Sequence, residues 1–521
     1  MTFNNDVHQQ FADYFEDKTV RCFAYLVSKQ LEEGHICVDL DKDSLEAAFK
    51  NLPDDIKGEL TELNPQTLEE NHQWITTDEN AIRPFVIKNG MLYLQRYFQY
   101  ETQIIDNIKR LGDNFRIITG GPGTGKTHSV ASNLVELFSN NINLKVALAA
   151  PTGKAAARMN ESIKNFAADI KNNISKDVKD RLIGLKAKTI HRLLGTITDS
   201  VFFRFNENNH LPFDVLIIDE CSMVDVAMLA KLLNAVNNKA MLFLLGDKDQ
   251  LASVEAGSVF GDMCRAKDHE LLKGKVELKT ESWRFDSTKG IGKFSQQVIS
   301  GTFKDIESFK NDDEVTIDTN YSKELFEEYA ILYRAYIEEP EIRLALQHLN
   351  KIRFLCVTRE NVSNVNKQIQ YYLSQKKIVG FAPKSEGFYH NQPIIITQND
   401  YQLEIFNGDV GLIRKEGETL FAFFESTNGE IKKIQAAYLN NYNTVFAMTI
   451  HKSQGSEFEN VVVILPEKQG EKLLTRELLY TGVTRAKTKV LLQTSEEVLQ
   501  KCVERSVSRA SGLAKRLKSE E

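Results

Sequence analysis

A glycine-rich octapeptide at residues 120–127 has the residue types and spacing that suit phosphate chemistry. Glycines let backbone N–H groups approach a phosphate chain without Cβ clashes. The start of the predicted helix over 128–138 adds the positive end of a helix dipole. Lys126 is expected to reach the β- and γ-phosphates of ATP, and the Thr127 hydroxyl to bind Mg²⁺. The alternative, a chance glycine-rich turn, is disfavoured by the apolar strand pattern over 115–118. The predicted nucleotide-binding residues here are Gly120, Gly121, Pro122, Gly123, Thr124, Gly125, Lys126 and Thr127.

Two carboxylates end a second apolar run at residues 215–218. Unpaired buried charge is costly, so packing alone does not explain Asp219 and Glu220 at this position. Beside a phosphate loop, Asp219 is expected to hold Mg²⁺ directly or through water. Glu220 is expected to orient or activate the attacking water. The alternative interpretation is a strand that simply ends at the surface.

Further polar side chains follow other predicted strands. Gln250 comes after the apolar run 241–245 and could sense a γ-phosphate by hydrogen bonding. Lys154 and Arg158 follow the run 145–150 and could hold a nucleic-acid phosphate, or could equally belong to a solvated helix face. Arg284 follows a short predicted strand and could reach across a nucleotide cleft.

A second arginine, Arg485, is predicted near the end of a helix over 478–487. An arginine offered to a γ-phosphate from a second domain stabilises charge in the transition state, an effect of about 10³–10⁵ in rate where it has been measured. A lone arginine on a helix is usually only solvated, so the case for Arg485 depends on its surroundings.

The elements that must position these residues alternate between strand and helix from about residue 101, which predicts a parallel α/β sheet. Residues 1–100 are predicted to form a mostly helical, acidic module. Residues 201–212 are predicted to form a hairpin arm with a polar tip, either a wedge or a surface ribbon.

The second half of the chain predicts a similar α/β unit that opens at residues 354–358. Residues 286–350 are charged and predicted to be a largely helical connector, with an acidic stretch over 310–318. The β-rich stretch 375–445 predicts a small inserted barrel. A terminal helix is predicted over 505–518.

Length and composition set wider bounds. The 521 residues suggest three or four domains, and 42% hydrophobic with 26% charged residues are ordinary for a globular chain. A net charge of −7 argues mildly against nonspecific coating of nucleic acid, although a local basic channel remains compatible with it. The six cysteines are scattered, which predicts neither a zinc site nor disulfides and favours the cytoplasm. We expect no membrane span and no secretory leader.

The order of motifs along the chain is distinctive. The motifs are GGPGTGKT (120–127), APTGKAAARM (150–159), TIHRLLG (189–195), IIDECSMVD (217–225), LLGDKDQL (244–251), SWRF (282–285), AMTIHKSQGSEF (447–458) and LLYTGVTRAK (478–487). This order resembles superfamily one DNA helicases of the 5′-to-3′ class and, within them, the RecD family, the α subunits of exodeoxyribonuclease V. Segments 31–37, 92–101 and 509–513, which lie outside these motifs, also resemble that family.

The resemblance implies an α/β fold of two RecA-like P-loop domains, with a helical N-terminal module and an inserted SH3-like β-barrel. The implied domains are a partner-binding module at 1–100, a first motor domain at 101–285 and a second at 286–521, with the barrel at 375–445. The arm at 201–212 resembles the pin that splits duplex DNA.

The resemblance also implies roles for individual residues. The implied catalytic residues are Lys126, Asp219, Glu220, Gln250, Arg284 and Arg485, with Thr127 and Asp219 on the metal. Gly455 and Glu457 would face the nucleotide and its ribose, and Gln103 is the candidate for reading adenine. The implied single-strand track is Pro151, Thr152, His191, Thr449, His451 and Lys452.

Taken together, these features predict an ATP- and Mg²⁺-dependent 5′-to-3′ DNA helicase. It would be one subunit of a helicase–nuclease that processes double-strand ends with RecB-like and RecC-like partners. The absence of helix-hairpin-helix repeats ahead of the motor favours a complex subunit. Three alternatives remain, namely a stand-alone helicase of the same family, an RNA helicase, and a scaffold with an inactive motor.

Overall fold

The structure is a computed structural model of the chain. It describes residues 6–49, 73–169, 174–253, 256–310, 312–378, 387–400, 402–426, 429–468, 470–507 and 510–518. Within these ranges no helix has both the length and the apolar character that crossing a bilayer requires.

The N-terminal module is a small mixed sheet covered by helices. Its order is β1-β4-β3-β2. The strands span only two to four residues each, so helices make up most of the regular secondary structure in the described part of the module, in line with the prediction of a mostly helical module. The elements are α1 (Val7–Ala12), α2 (Lys18–Glu32), β1 (Cys37–Asp39), α3 (Lys42–Phe49), β2 (Ile75–Thr76), β3 (Phe85–Lys88) and β4 (Met91–Leu94).

The next helix, α4 (Gln95–Leu111), passes through the predicted boundary at residue 100 and joins the module to the first motor domain. Its buried face, including Ile104, Ile105 and Ile108, belongs to the same apolar cluster as strand residues of that domain. The module and the first motor domain therefore share one core.

The first motor domain is built on a six-stranded sheet of order β10-β5-β9-β8-β6-β7, in which all neighbouring strands are parallel. Parallel strands end at one edge of a sheet, where ligands bind in open α/β folds. Its strands are β5 (Phe115–Gly120), β6 (Val146–Ala150), β7 (Lys188–Thr189), β8 (Val215–Ile218), β9 (Met241–Gly246) and β10 (Val276–Lys279). Its helices are α5 (Lys126–Asn140), α6 (Gly153–Ala168), α7 (Lys176–Gly184), α8 (Ile190–Leu194), α9 (Val226–Ala235) and α10 (Val259–Arg265).

The predicted hairpin at 201–212 is a loop without regular strands. Isolated bridges join Thr196 to Phe203 and Asn206 to Asn209. Phe203 and Phe205 pack against the first motor core, so the side chains that would line a ribbon are used for packing instead. Val201 and Phe202 remain 73% and 72% exposed.

The second half of the chain repeats the parallel arrangement with the sheet order β11-β20-β19-β12-β18. Strand β11 comes from the predicted connector and pairs with β20 at the sheet edge. The elements are α11 (Gly290–Ser300), β11 (Val315–Asp318), α12 (Lys323–Ala330), α13 (Arg334–Glu338), α14 (Ile342–Leu349), β12 (Ile352–Cys356), α15 (Arg359–Gln375), β13 (Pro393–Ile396), β14 (Val410–Glu416), β15 (Thr419–Glu425), β16 (Ile431–Gln435), β17 (Tyr442–Thr444), β18 (Ala447–Thr449), β19 (Phe458–Ile464), α16 (Arg476–Val483), β20 (Ala486–Gln493), α17 (Glu496–Glu504) and α18 (Leu513–Lys518).

Strands β13–β17 form the insert, an antiparallel sheet of order β16-β15-β14-β13-β17. In the described part of the insert no ladder joins the outer strands β16 and β17. The β-rich insert is therefore present, while its closure into a barrel is not established.

Two predicted helices were too long. The helix predicted over 478–487 ends at Val483, because the chain turns there to enter β20, and Arg485 lies in that turn. Among the described residues of the helix predicted over 505–518, those at 505–507 and 510–512 are not helical and those at 513–518 are.

The three family-like segments outside the motor converge at one junction. The Ile36 N–H donates to the Ala510 carbonyl (3.0 Å). The Tyr93 and Ser511 hydroxyls both donate to the Glu101 carboxylate (3.0 Å each). Arg509, which belongs to the third segment, lies outside the described residues.

Candidate nucleotide and nucleic-acid site

A cleft of about 590 Å³ lies between the two motor domains. This volume is within the range of small-molecule sites. The cleft brings together predicted residues that are far apart in the chain. Its lining includes Pro122, Gly123, Thr124, Gly125, Lys126, Thr127, Asp219, Glu220, Gln250, Arg284, Glu457 and Arg485.

The glycine loop is folded as a cradle at the end of β5. Gly123 and Gly125 have φ values of 77° and 76°, in the left-handed region that favours glycine. A Cβ on Gly123 would lie 2.4 Å from the Arg284 Cβ. The Lys126 ammonium donates to the carbonyls of Gly120 (2.5 Å) and Gly121 (3.0 Å). The loop therefore already holds a cation over its floor, which suits a polyphosphate.

The two acids lie directly after β8. Burial, together with the nearby Glu220 carboxylate, raises the pKa of Asp219 to about 6. A cation beside Asp219 would offset both the burial of its charge and the repulsion from Glu220, so a carboxylate in this position fits Mg²⁺. Glu220 has φ 53°, a left-handed conformation that is strained for a residue with a Cβ and is common at functional sites.

Glu457 is the centre of a cluster of cations. Its carboxylate accepts from Arg158 and from Arg284 (2.8 Å), and Lys487 lies 3.6 Å away. Burial tends to raise the pKa of Glu457, but the Arg158 and Arg284 guanidiniums outweigh it and lower the pKa to about 2. The carboxylate therefore stays ionised and fixes guanidiniums from the first motor domain beside the second.

Arg485 is 2% exposed and lines the cleft from the second motor domain. Its Nε donates to the Thr481 carbonyl (3.2 Å) and its Nη1 to the Ser456 carbonyl (3.3 Å). Both hydrogen bonds are made to neutral carbonyls, while the nearby Glu220 and Glu457 carboxylates partly offset the positive charge. The guanidinium is therefore fixed in the cleft lining, where it can face an anion.

Gln250 is bound to a buried carboxylate that the sequence did not single out. Its Nε2 donates to Asp247 Oδ2 (3.1 Å), and the Tyr480 hydroxyl donates to the same oxygen (3.0 Å). By contrast, Gln103 lies away from the cleft, where its Oε1 accepts from Asn234 Nδ2 (3.2 Å) between two helices.

The predicted track residues lie at neighbouring strand ends. Pro151 and Thr152 follow β6, and His191 lies one turn after β7, which pairs with β6. Thr449 ends β18, and His451 and Lys452 form the turn after it. A Cβ on Gly455 would lie 3.6 Å from Thr152 Oγ1, so the two groups of residues approach one another from the two motor domains.

Four residues of the site escaped the sequence analysis as nucleotide-cleft residues. Trp283 is 91% exposed at the mouth of the cleft, beside Arg284. Arg158 was considered only as a nucleic-acid contact, but it pairs with Glu457. Asp247 and Tyr480 meet only in the folded chain. The one available signal for Trp283 was its place beside Arg284, which was predicted to reach across a nucleotide cleft.

Family models match three parts of the chain. The model described as RecBCD enzyme subunit RecD, N-terminal domain, matches residues 4–93. An AAA domain model matches residues 103–256, and a UvrD-like helicase C-terminal domain model matches residues 444–493. The models therefore follow the module and the two motor domains in chain order.

Two relatives named RecBCD enzyme subunit RecD match over nearly their whole length, and a third relative matches over about half of its length. The RecBCD enzyme subunit RecD of Haemophilus influenzae is 32% identical, with 98% of this chain and 95% of the relative covered. The subunit of the same name from Mycolicibacterium smegmatis is 34% identical, with 96% and 94% covered. The ATP-dependent RecD2 DNA helicase of Deinococcus radiodurans is 29% identical, with 74% of this chain and 47% of the relative covered.

Among solved structures, one of Pif1 helicases at forked DNA gives a TM-score of 0.41 at 16% identity, with 77% of this chain and 93% of that chain covered. That likeness is below the level at which a shared fold follows. The family models and the near-complete relatives carry the assignment: the chain belongs to the RecD family and is an ATP-dependent DNA helicase.

Proposed function

We propose that this helicase is the 5′-to-3′ motor subunit of a helicase–nuclease that acts on double-strand DNA ends in recombinational repair. The observation that carries the proposal is the near-complete match to chains named RecBCD enzyme subunit RecD, including the N-terminal module. The stand-alone alternative has weaker support, because this chain covers only 47% of the RecD2 relative.

The cleft suits ATP hydrolysis coupled to movement of the two motor domains. Lys126 and the loop N–H groups would bind the phosphates, while Thr127 and Asp219 would hold Mg²⁺, which would neutralise phosphate charge. Glu220 would accept a proton from the attacking water. Arg284 and Arg485 would stabilise the charge that develops on the γ-phosphate.

The partners would be RecB-like and RecC-like subunits, with the nuclease on a partner. The module at 1–100 would bind them, and the motor domains would correspond to 101–285 and 286–521. The loop at 201–212 would act as the pin, and its exposed Val201 and Phe202 suit stacking against a base pair. The insert would act as an SH3-like contact to the strand. A cytoplasmic location remains a prediction from the sequence.

Single-stranded DNA would run over the two groups of track residues, Pro151, Thr152 and His191 on one side and Thr449, His451 and Lys452 on the other. An RNA helicase remains an alternative that strand displacement on matched RNA and DNA substrates decides. An inactive scaffold is disfavoured, because the predicted catalytic side chains converge on one cleft.

The test is unwinding of duplexes with matched 5′ or 3′ single-stranded tails, by the chain alone and with candidate partner subunits. We expect unwinding of the 5′-tailed duplex, with stimulation by the partners, and none by the Lys126→Ala variant. Preference for the 3′ tail would overturn the polarity. Full activity without any partner, together with failure to co-purify with them, would favour the stand-alone helicase.

A further inference from the structure

Three hydrogen bonds from the second motor domain converge on one short segment of the first, residues 247–251. The Tyr480 hydroxyl donates to Asp247 Oδ2 (3.0 Å). The Leu251 N–H donates to Thr481 Oγ1 (2.9 Å), and Gln454 Nε2 donates to the Leu251 carbonyl (2.8 Å). The segment that carries Gln250 is therefore held from both sides of the cleft.

Asp247 is 1% exposed, and its carboxylate accepts three hydrogen bonds. Oδ2 accepts from Tyr480 and from Gln250 Nε2, and Oδ1 accepts from the Asp249 N–H (3.0 Å). A carboxylate only accepts hydrogen bonds. The amide nitrogen of Gln250 must therefore face Asp247, which turns its amide oxygen the other way.

That amide oxygen, Gln250 Oε1, is buried and has no hydrogen-bond partner within the described residues. The Gln250 side chain lines the cleft beside Lys126 and Glu220. A buried acceptor without a partner is costly. The oxygen is therefore poised for a donor that enters with the nucleotide.

We propose that Asp247 and Tyr480 are positioning residues that make Gln250 present its amide oxygen, an acceptor, to the attacking water. The phosphate oxygens of ATP are themselves acceptors, so this oxygen cannot bind them, whereas water can donate to it. The water oxygen then bonds to the γ-phosphorus, the bond to the bridging oxygen breaks, ADP leaves with that oxygen, and the proton passes to the Glu220 carboxylate. The proposal rests on the proposed role of this cleft in ATP hydrolysis.

Tyr480 gives the arrangement its dependence on domain closure. It belongs to helix α16 of the second motor domain, whereas Asp247 follows β9 of the first. Its hydroxyl also lies 2.8 Å from where a Cβ on Gly121 would stand, so it reaches the phosphate loop. Separation of the motor domains removes this donor from Asp247, so the carboxylate that orients Gln250 is held by one hydrogen bond fewer in the open cleft.

The test exchanges the carboxylate of Asp247 and the amide of Gln250 in the full chain. It measures ATP hydrolysis in the presence of single-stranded DNA. We expect Asp247→Asn to lower kcat by about 10²-fold, with affinity for a non-hydrolysable ATP analogue within about threefold. The double variant Asp247→Asn with Gln250→Glu restores the pattern, because the new amide donates to one glutamate oxygen and leaves the other for water. We expect its kcat to exceed that of either single variant by about tenfold or more.

If the Gln250 amide nitrogen faced the γ-phosphate instead, Gln250→Glu would place a carboxylate against the phosphate. The double variant would then remain as inactive as the single variants, and that result would overturn the proposal. Tyr480→Phe removes only the hydroxyl, and we expect it to lower kcat by about fivefold at unchanged analogue affinity. Tyr14→Phe, at a site 80% exposed on the N-terminal module, is the matched control. Hydrolysis that survives Lys126→Ala would contradict the cleft assignment itself, a separate failure.

Discussion

Two junctions between the second motor domain and the rest of the chain, as far as the structure describes them, are built differently. At the nucleotide cleft the contacts are mainly polar, with the Tyr480–Asp247 hydrogen bond and the ion pairs of Glu457, and the side chain of Leu251 adds an apolar contact to the second motor core. At the other junction the C-terminal helix α18 buries Leu513 and Leu517 completely in the core that the N-terminal module shares with the first motor domain.

The difference follows from how each kind of contact responds to separation. Exposed hydrogen-bond partners exchange for water at a net cost of only about 0.5–1.5 kcal/mol each, so the cleft can open and close. Fully buried leucines cost about 1.5–3 kcal/mol each to expose. The cleft is therefore suited to cycling, and the C-terminal junction to permanent attachment.

The C-terminal junction also contains a buried ion pair. Arg516 lies 3.6 Å from the Glu101 carboxylate, donates to Thr102 Oγ1 (2.7 Å) and lies over the Phe98 ring. Glu101 additionally accepts from the Leu513 N–H (3.1 Å). Loss of either partner would leave a charge buried without compensation.

The largest expected effect is at the cleft. Lys126→Ala should lower kcat for DNA-stimulated ATP hydrolysis by about 10³-fold or more, because the ammonium that faces the transferred phosphoryl group is lost. The midpoint of thermal unfolding should stay nearly unchanged. Lys145→Ala, an exposed lysine of the same domain, is the control and should retain both properties. A folded Lys126→Ala enzyme at full activity would remove the cleft from the chemistry.

The second prediction concerns the C-terminal junction, where a substitution should lower stability and leave catalysis unchanged. Arg516→Met should lower the free energy of unfolding at neutral pH by about 3–5 kcal/mol, because Glu101 is left buried and unpaired. Under conditions in which the variant stays folded, its KM and kcat for ATP should stay within about twofold of the parent values. Urea unfolding and steady-state kinetics on the same sample measure both. Equal losses of stability and catalysis would show that the two junctions are not independent.

The third prediction concerns pH. Burial raises the pKa of Glu101, and Arg516 partly opposes this. Removal of Arg516 raises the pKa further, so the folded variant holds a proton that the unfolded chain releases above its own pKa. The stability deficit of Arg516→Met should therefore be small near pH 4.5 and grow as the pH rises to 8.

Lys515→Met is the control for both measurements on this helix. Lys515 pairs with Asp39 at a site that is half exposed, so its loss should cost no more than about 1 kcal/mol. Its deficit should also not grow as the pH rises. A flat pH dependence for Arg516→Met would mean that Glu101 does not depend on Arg516.

The smallest expected effect is at Glu457. Glu457→Gln keeps the shape but removes the charge that fixes Arg158 and Arg284. We expect kcat to fall by about tenfold, because the guanidiniums would become less ordered. The free energy of unfolding should fall as well, since the lowered pKa of Glu457 means that its charge stabilises the fold. Glu459→Gln, two residues along at an exposed site, is the matched control.

Sequence patterns identified the residues that follow buried strands, because parallel strands end at one edge and polar side chains there have few structural uses. This is why Lys126, Asp219 and Gln250 meet in one cleft, which Arg485 enters from the turn before β20. The adenine candidate Gln103 does not lie at a strand end, and the structure places its side chain between two helices and away from the cleft.

What the sequence could not predict depends on contacts between distant residues. Tyr480 and Asp247 are 233 positions apart, and Glu101 and Leu513 are 412 apart. Over 201–212 one antiparallel bridge joins Asn206 to Asn209, and the packing of Phe203 and Phe205 against the first motor core is likewise a contact that the sequence did not indicate. The edge strand β11 was missed because its short acidic surroundings resemble a connector.

The central claim is that the first motor domain binds the nucleotide and the second supplies charge for its hydrolysis. The most direct test is Arg485→Gln, with binding of a fluorescent ATP analogue and single-turnover hydrolysis measured on the same DNA-bound enzyme. The account predicts analogue affinity within about threefold of the parent and a hydrolysis rate lower by about 10³-fold. Hydrolysis at the parent rate would contradict it.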